Sequence, residues 1–329
     1  MAILLPTPIL YGDTSDDLAD HDHGGAQSLT GSATVIGDAN ALLDHAAGGD
    51  DTIDVFSITG DVVAIGDAIT MTDHATGGDD HLIADANVFA ATVVGDAVTL
   101  TGHAHGGNDT MTAIGRSSVT LYGDAQIIED HAVGGNDTVI VGASRFGLFG
   151  FGDAQTITDH GRGGDDVVSG QGFGTLPQQL YGDAFTLSGF AIGGNDTVIG
   201  ANGGGSQIYG DGHELLDHAR GGDDVLVSGA ANDLMWGDAP VVAPTAQTGA
   251  DTFLFDRASQ PSLGNDTIED FEPGKDHISL QNYSGVATFG DLTSHIADTT
   301  AGSLITFDAQ NTILVVNDHN LTASDFAFS

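Results

Sequence analysis

The chain has 329 residues, with 47 Asp and Glu against 6 Lys and Arg, for a formal charge of −41. Self-repulsion on that scale opposes any compact state unless cations offset it, and it excludes partners that need clustered Lys and Arg, namely nucleic acid and anionic membrane surfaces. With no cysteine there are no disulfides or thiolate metal sites, while 49 glycines and 40% hydrophobic residues suit a short-stranded β protein better than a disordered chain.

The N-terminal stretch MAILLPTPILYGD lacks a charged leader, has a short apolar run and carries two prolines. It reads as neither a signal peptide nor a membrane span. From there the dipeptide Gly-Asp recurs, starting at Gly12, Gly37, Gly66, Gly95, Gly123, Gly152, Gly182, Gly210 and Gly237, at spacings of 25, 29, 29, 28, 29, 30, 28 and 27. A period near 29 punctuated by glycine turns predicts a solenoid. The first unit is irregular: GGAQSLTG from Gly24 has no Asp in register. Residues 1–36 are therefore expected to form a capping turn, because terminal repeats of solenoids are atypical.

Residues 37–239 are the repeats proper, and each unit carries three short apolar spots. One precedes the Gly of Gly-Asp and is often aromatic, as at Tyr122, Phe151, Tyr181, Tyr209 and Trp236. Its neighbour is apolar too, which leaves open which of the two points inward. A second spot lies five residues after that Gly, at Leu42, Met71, Leu100, Ile128, Ile157, Leu187 and Leu215. A third follows the turn GG[ND]D, at Ile53, Leu82, Met111, Val139, Val168, Val198, Leu226 and Phe253. Alternation such as Thr99-Leu100-Thr101 has the period of strands, and the glycines leave no room for helices. The expected fold is all-β, a right-handed parallel β-roll or β-helix of about nine turns, each rising about 4.8 Å.

The GG[ND]D turns carry the strongest chemical signal. Glycines let the backbone turn tightly and aim its carbonyls inward, and the Asp adds a carboxylate to the same small space. Hard divalent cations take such oxygen ligands, and oxygens from two successive turns can reach the six to eight that calcium takes.

Gly107-Asn108-Asp109-Thr110-Met111 and Gly135-Asn136-Asp137-Thr138-Val139, with their counterparts in the other units, resemble the calcium-binding nonapeptide repeat of the RTX (hemolysin-type) family, GGxGxDxUx with U apolar. The resemblance implies calcium held between turns by Asp51, Asp80, Asp109, Asp137, Asp166, Asp196 and Asp224, with Asp251 in the same register, and by backbone carbonyls around Gly49, Gly78, Gly107, Gly135, Gly164, Gly194 and Gly222. The Gly-Asp half of the unit departs from the family pattern in lacking its own G-x-D. Its Asp38, Asp67, Asp96, Asp124, Asp153, Asp183, Asp211 and Asp238 are either further ligands or caps of local turns.

Residues 240–329 break the period after Pro240. The stretch GADTFLFDRASQPSLGNDTIEDFEPGKDHISL from Gly249 looks like the flank that follows RTX repeats in type I secreted proteins such as serralysin-type proteases, and the closing LTASDFAF is similar to their ends. A C-terminal β cap and an uncleaved secretion signal are implied.

Three features point elsewhere. A histidine ladder at His21, His45, His74, His103, His131, His160 and His218 suggests zinc or copper, but Phe190 takes its place in one unit. His213-Glu214-Leu215-Leu216-Asp217-His218 has one residue too many for the zinc-protease motif HExxH. Paired threonines at Thr70 and Thr72, Thr99 and Thr101, and Thr156 and Thr158 resemble ice-binding arrays. A β-helix lyase or epimerase would need clustered basic residues, whereas Arg116, Arg145, Arg162, Arg220, Arg257 and Lys275 are scattered. The expectation is a non-enzymatic, extracellular calcium-binding structural or surface protein. Its expected partners are calcium ions, and beyond them further copies of itself or a cell-surface polysaccharide.

Overall fold

A computed structural model describes residues 3–87, 89–142, 147–171, 177–258 and 262–329, so Arg145 lies outside the described residues. The chain winds into a parallel β-solenoid with three long sheets of thirteen, eight and eleven strands. One turn shows the plan. Val62–Ile65 lies in the first sheet, Gly66 and Asp67 make a corner, and Ala68–Met71 lies in the second sheet. The chain returns through residues 72–76, turns again at Gly77–Asp80, and enters the third sheet as His81–Ala86. The return segment forms its own column of single parallel bridges, from Ala47 to Thr76, His105, Val133, Arg162, Ile192, Arg220 and Gln247.

Each turn therefore has two lobes joined by a waist. The larger lobe holds the core between the first and third sheets, where Val62, Ala64, Leu82 and Ala84 pack with their equivalents. The smaller lobe packs the second sheet on the return segment through Ala68, Met71 and Ala75 and their equivalents. Alanine at Ala46, Ala75, Ala104 and Ala132 keeps this lobe thin, because a larger side chain would push the return segment off the sheet. Every fully buried Leu, Ile, Val or Met here contributes about 1.5–3 kcal/mol.

The aromatic spot is resolved by two cores facing opposite ways. Residues next to the Gly-Asp turn, Ile65, Tyr122, Phe151, Tyr181 and Tyr209, form a separate cluster outside the first sheet, while Ala64, Leu121, Leu180 and Ile208 face the large core. From Tyr122 through Phe151, Tyr181 and Tyr209 to Trp236 the rings stack at 4.6–5.1 Å, one per turn.

Strict alternation holds in the long strands of the third sheet, such as Thr52–Ser57, and again in the C-terminal strand Asn311–Val316 of the first. Second-sheet strands bury their first and fourth residues instead, as in Ala68 and Met71, because Ile69 reaches round to the aromatic cluster and only Thr70 is left outward. The return turn needs a left-handed residue. Asp44, Asp73, Asp130, Asp159 and Asp217 supply it at φ 54–60°, and Gly102 and Gly189 at φ 71–72°, which explains why Asp and Gly exchange at this position.

The second sheet runs out at Val241–Val242, while the other two continue through Thr252–Asp256, Gly264–Ile268 and His277–Gln281. Antiparallel strands Ile296–Asp298, Gly302–Asp308 and Asn311–Val316 then close the first sheet, and Phe326–Phe328 closes the third. These strands cover edges that would otherwise template pairing with another chain.

Candidate metal site

The waist brings together two Asp columns whose members the sequence separates by thirteen residues in every unit. Each Gly-Asp carboxylate accepts the N–H of the second glycine of the GG[ND]D turn, eleven residues on. Gly49 donates to Asp38 at 2.9 Å, Gly107 to Asp96 at 2.7 Å, Gly135 to Asp124 at 2.6 Å and Gly194 to Asp183 at 2.6 Å. The GG[ND]D carboxylates form a ladder of their own. The Asp80 N–H donates to Asp109 Oδ1, Asp109 to Asp137, Asp137 to Asp166 and Asp166 to Asp196, each at 2.7 Å.

These bonds use one oxygen of each carboxylate and leave the other bare. In fourteen of the sixteen aspartates of the two columns, all but Asp67 and Asp238, a buried carboxylate oxygen has no hydrogen-bond partner. The bare oxygens are not isolated from one another. The space beside Gly66 holds Asp80 Oδ2 and the carbonyl of Gly95, and that beside Gly123 holds Asp137 Oδ2 and the carbonyl of Gly152. Beside Gly106 the carboxylates of Asp96 and Asp124, from successive turns, face each other. The carbonyls of Gly49, Gly78, Gly107, Gly135, Gly164, Gly194 and Gly222 line the same waist, each against the equivalent glycine one turn on. A Cβ at any of these glycines would collide with an oxygen of the channel, so glycine is required here for close approach.

Burial pushes these carboxyls far up from their usual range. Asp124 rises to about 6, Asp38 and Asp51 to about 7, and Asp251 to about 9, with desolvation the largest cause in each. Desolvation also drives up Asp109, Asp137 and Asp196, and neighbouring carboxylates add to it. Among the described residues one ion pair exists, Lys275 to Glu272 at 2.6 Å, so no protein cation pairs directly with a carboxylate of the two columns. Buried carboxylates that face each other without a proton or cation are strongly unfavourable.

The oxygens present are hard donors, carboxylate and carbonyl, spaced by close-packed glycines, which is chemistry that fits calcium. Side chains alone do not complete a cage: among the described residues no group of three or more His, Asp or Glu converges on one point. A calcium cage here would need backbone carbonyls or water for its remaining ligands.

Sequence reasoning missed aspartates outside the two columns. Asp233 and Asp266 repeat the ladder at the opposite corner, Asp233 donating its N–H to Asp266 Oδ1 at 2.9 Å. Their oxygens are taken by Ser206 N, Gly229 N and Ser228 Oγ. The signal was present, since Gly264-Asn265-Asp266-Thr267-Ile268 repeats the pattern of Gly135 to Val139. Asp270 and Asp276 extend the two columns beyond Asp238 and Asp251.

The histidine ladder is a ring stack. Centroids from His21 to His160 lie 4.8–5.2 Å apart, and Phe190 continues the stack to His218. The rings succeed one another face to face or tilted, one per turn, and Phe190, which has no lone pair to offer a metal, takes a place in the same stack. His213 stacks on Phe185 and His218 on Phe190, so the two histidines of the HExxH-like segment belong to different columns. One threonine of each pair is engaged as well, Thr72 with Asp73, Thr101 with Asp130 and Thr158 with Ser188.

The molecule is thus an acidic parallel β-solenoid built around a carboxylate-lined waist. The chain belongs to the serralysin C-terminal family: the model described as Peptidase M10 serralysin C terminal matches residues 44–328. That family is the RTX-type, calcium-binding repeat region of those peptidases and not their catalytic part. No curated protein matches the chain. No helix among the described residues is long and apolar enough to cross a membrane.

Proposed function

We propose that this chain is an extracellular calcium-binding structural or surface protein, released through a type I pathway and folded on meeting calcium outside the cell. The observation that carries the reading is the double row of buried carboxylates with bare oxygens beside inward carbonyls. Asp51, Asp80, Asp109, Asp137, Asp166, Asp196, Asp224 and Asp251 supply one oxygen each to the ions. The Gly-Asp carboxylates from Asp38 to Asp238 supply others while capping the glycine turns. Calcium when bound supplies positive charge between turns that otherwise repel, and the chain's own residues set the spacing.

Extracellular modules bind calcium at about 10⁻⁴ to 10⁻³ M, so low cytosolic calcium leaves such a chain unfolded and exportable. The structural or adhesive part of the reading rests on the repeats, residues 37–239, making up most of this sequence. The test is circular dichroism of chelated protein during a calcium titration. The β signal should appear cooperatively with calcium and not with micromolar zinc. A full β signal in chelator, unchanged by calcium, defeats the reading.

A further inference from the structure

The metal row has an end, and its last layer is built differently from the rest. In the preceding turns the first residue of GG[ND]D is glycine, because a side chain there would strike the carboxylates of the Gly-Asp column, as at Gly163 against Asp153 and Asp183. In the last turn that position is Thr248, followed by Gly249, Ala250 and Asp251. Over it folds the segment from Glu272 to Asp276, which holds Lys275, the single lysine of the chain. The Lys275 ammonium donates to Thr248 Oγ1 and pairs with Glu272 at 2.6 Å. Partial burial works against its charge, but Glu272, Asp238 and Asp276 outweigh that and hold it above its ordinary range.

The carboxylates of this layer are also satisfied by the chain itself. Asp276 accepts from Asp251 N at 3.0 Å and from Glu272 N at 2.8 Å. Asp270 accepts from Gly237 N at 2.8 Å and Asp238 N at 3.2 Å. Neither keeps a bare buried oxygen, unlike Asp211, Asp224 and Asp251 just before them.

We propose that Lys275 is a tethered cation that takes the place of calcium in the terminal layer, with Thr248 standing at the position where the turns before it need glycine. The row of ions then stops at a self-neutralised end instead of an exposed, half-coordinated one. This inference rests on the calcium reading of the waist but concerns only how the row terminates.

The experiment counts calcium per chain by equilibrium dialysis, on samples whose β signal in calcium has been verified. The double variant Thr248→Gly, Lys275→Met should bind one ion more than the unmodified chain, and Lys275→Arg should keep the original count. An unchanged count in the folded double variant overturns the proposal. If the double variant does not fold in calcium, Lys275→Met alone decides. Its folding midpoint should move to higher calcium, because an ion must now do what the ammonium did, and an unmoved midpoint overturns the proposal. Failure of the unmodified chain to bind any calcium is a different outcome, which removes the calcium reading itself.

Discussion

Asp137 uses Oδ1 to accept the Asp109 N–H and leaves Oδ2 bare beside the carbonyl of Gly152, so its two oxygens do different work. Asp137→Asn should therefore act with opposite signs in two conditions. In saturating calcium it removes a charged ligand, and thermal unfolding should shift to lower temperature. In chelator it removes a buried, uncompensated charge, and whatever structure remains should become more stable. A loss of stability of the same size in both conditions would falsify the ligand role. Glycine at the same waist has a purely steric duty. Gly123→Ala sets a methyl against the carbonyl of Gly152 and the Asp137 carboxylate, and it should cost about 1–3 kcal/mol, read as a lowered unfolding temperature in calcium.

At the scale of the element, the turn is the unit, and its parts were legible in the sequence to different degrees. The columns headed by Ile53, Leu42 and Tyr122 could be read directly, because parallel stacking puts the same residue type at the same offset in every turn. The waist could not be read, because nothing in the spacing of Asp38 and Gly49 says that a flat lobe folds them together. Nor could the two-sided first sheet, where Leu121 and Tyr122 serve different cores, since a run buried on both faces loses its alternation. The cap members Asp270 and Asp276 were obscured by the break in period after Pro240. Register makes whole turns interchangeable: Asp124 and Asp153 occupy equivalent positions, with Ala125 paired to Ala154 and Ile128 to Ile157. Deleting residues 124–152 should leave a shorter solenoid with its β signal per residue intact in calcium and fewer bound ions. Deleting residues 124–137 instead excises one small lobe together with Asp124 and Asp137, which interrupts the second sheet and both carboxylate columns and should weaken calcium-induced folding. Equal outcomes for the two deletions would refute the stacking argument.

For the whole molecule the deciding quantity is where the charge sits. Much of the −41 lies in the waist, shielded from salt in the surrounding water, so sodium chloride should not replace calcium even at high concentration. Protons can replace it in part, because they reach the carboxylates and neutralise them. The folded-state values are raised above the ordinary 3.8, so the folded chain binds protons more tightly than the unfolded one. Their contribution to the metal-free fold is full below that ordinary value. It is lost as the pH rises through about 6 at Asp124, about 7 at Asp38 and Asp51 and about 9 at Asp251. Chelated protein should therefore gain β signal as the pH falls from 8 toward 4, while the calcium needed for half-folding increases over the same interval because protons and calcium compete for the same oxygens. The measurement is a calcium titration by circular dichroism at several pH values, with a chelated control at each. If the chelated chain loses structure on acidification, the waist carboxylates are not the groups that hold the metal-free chain open.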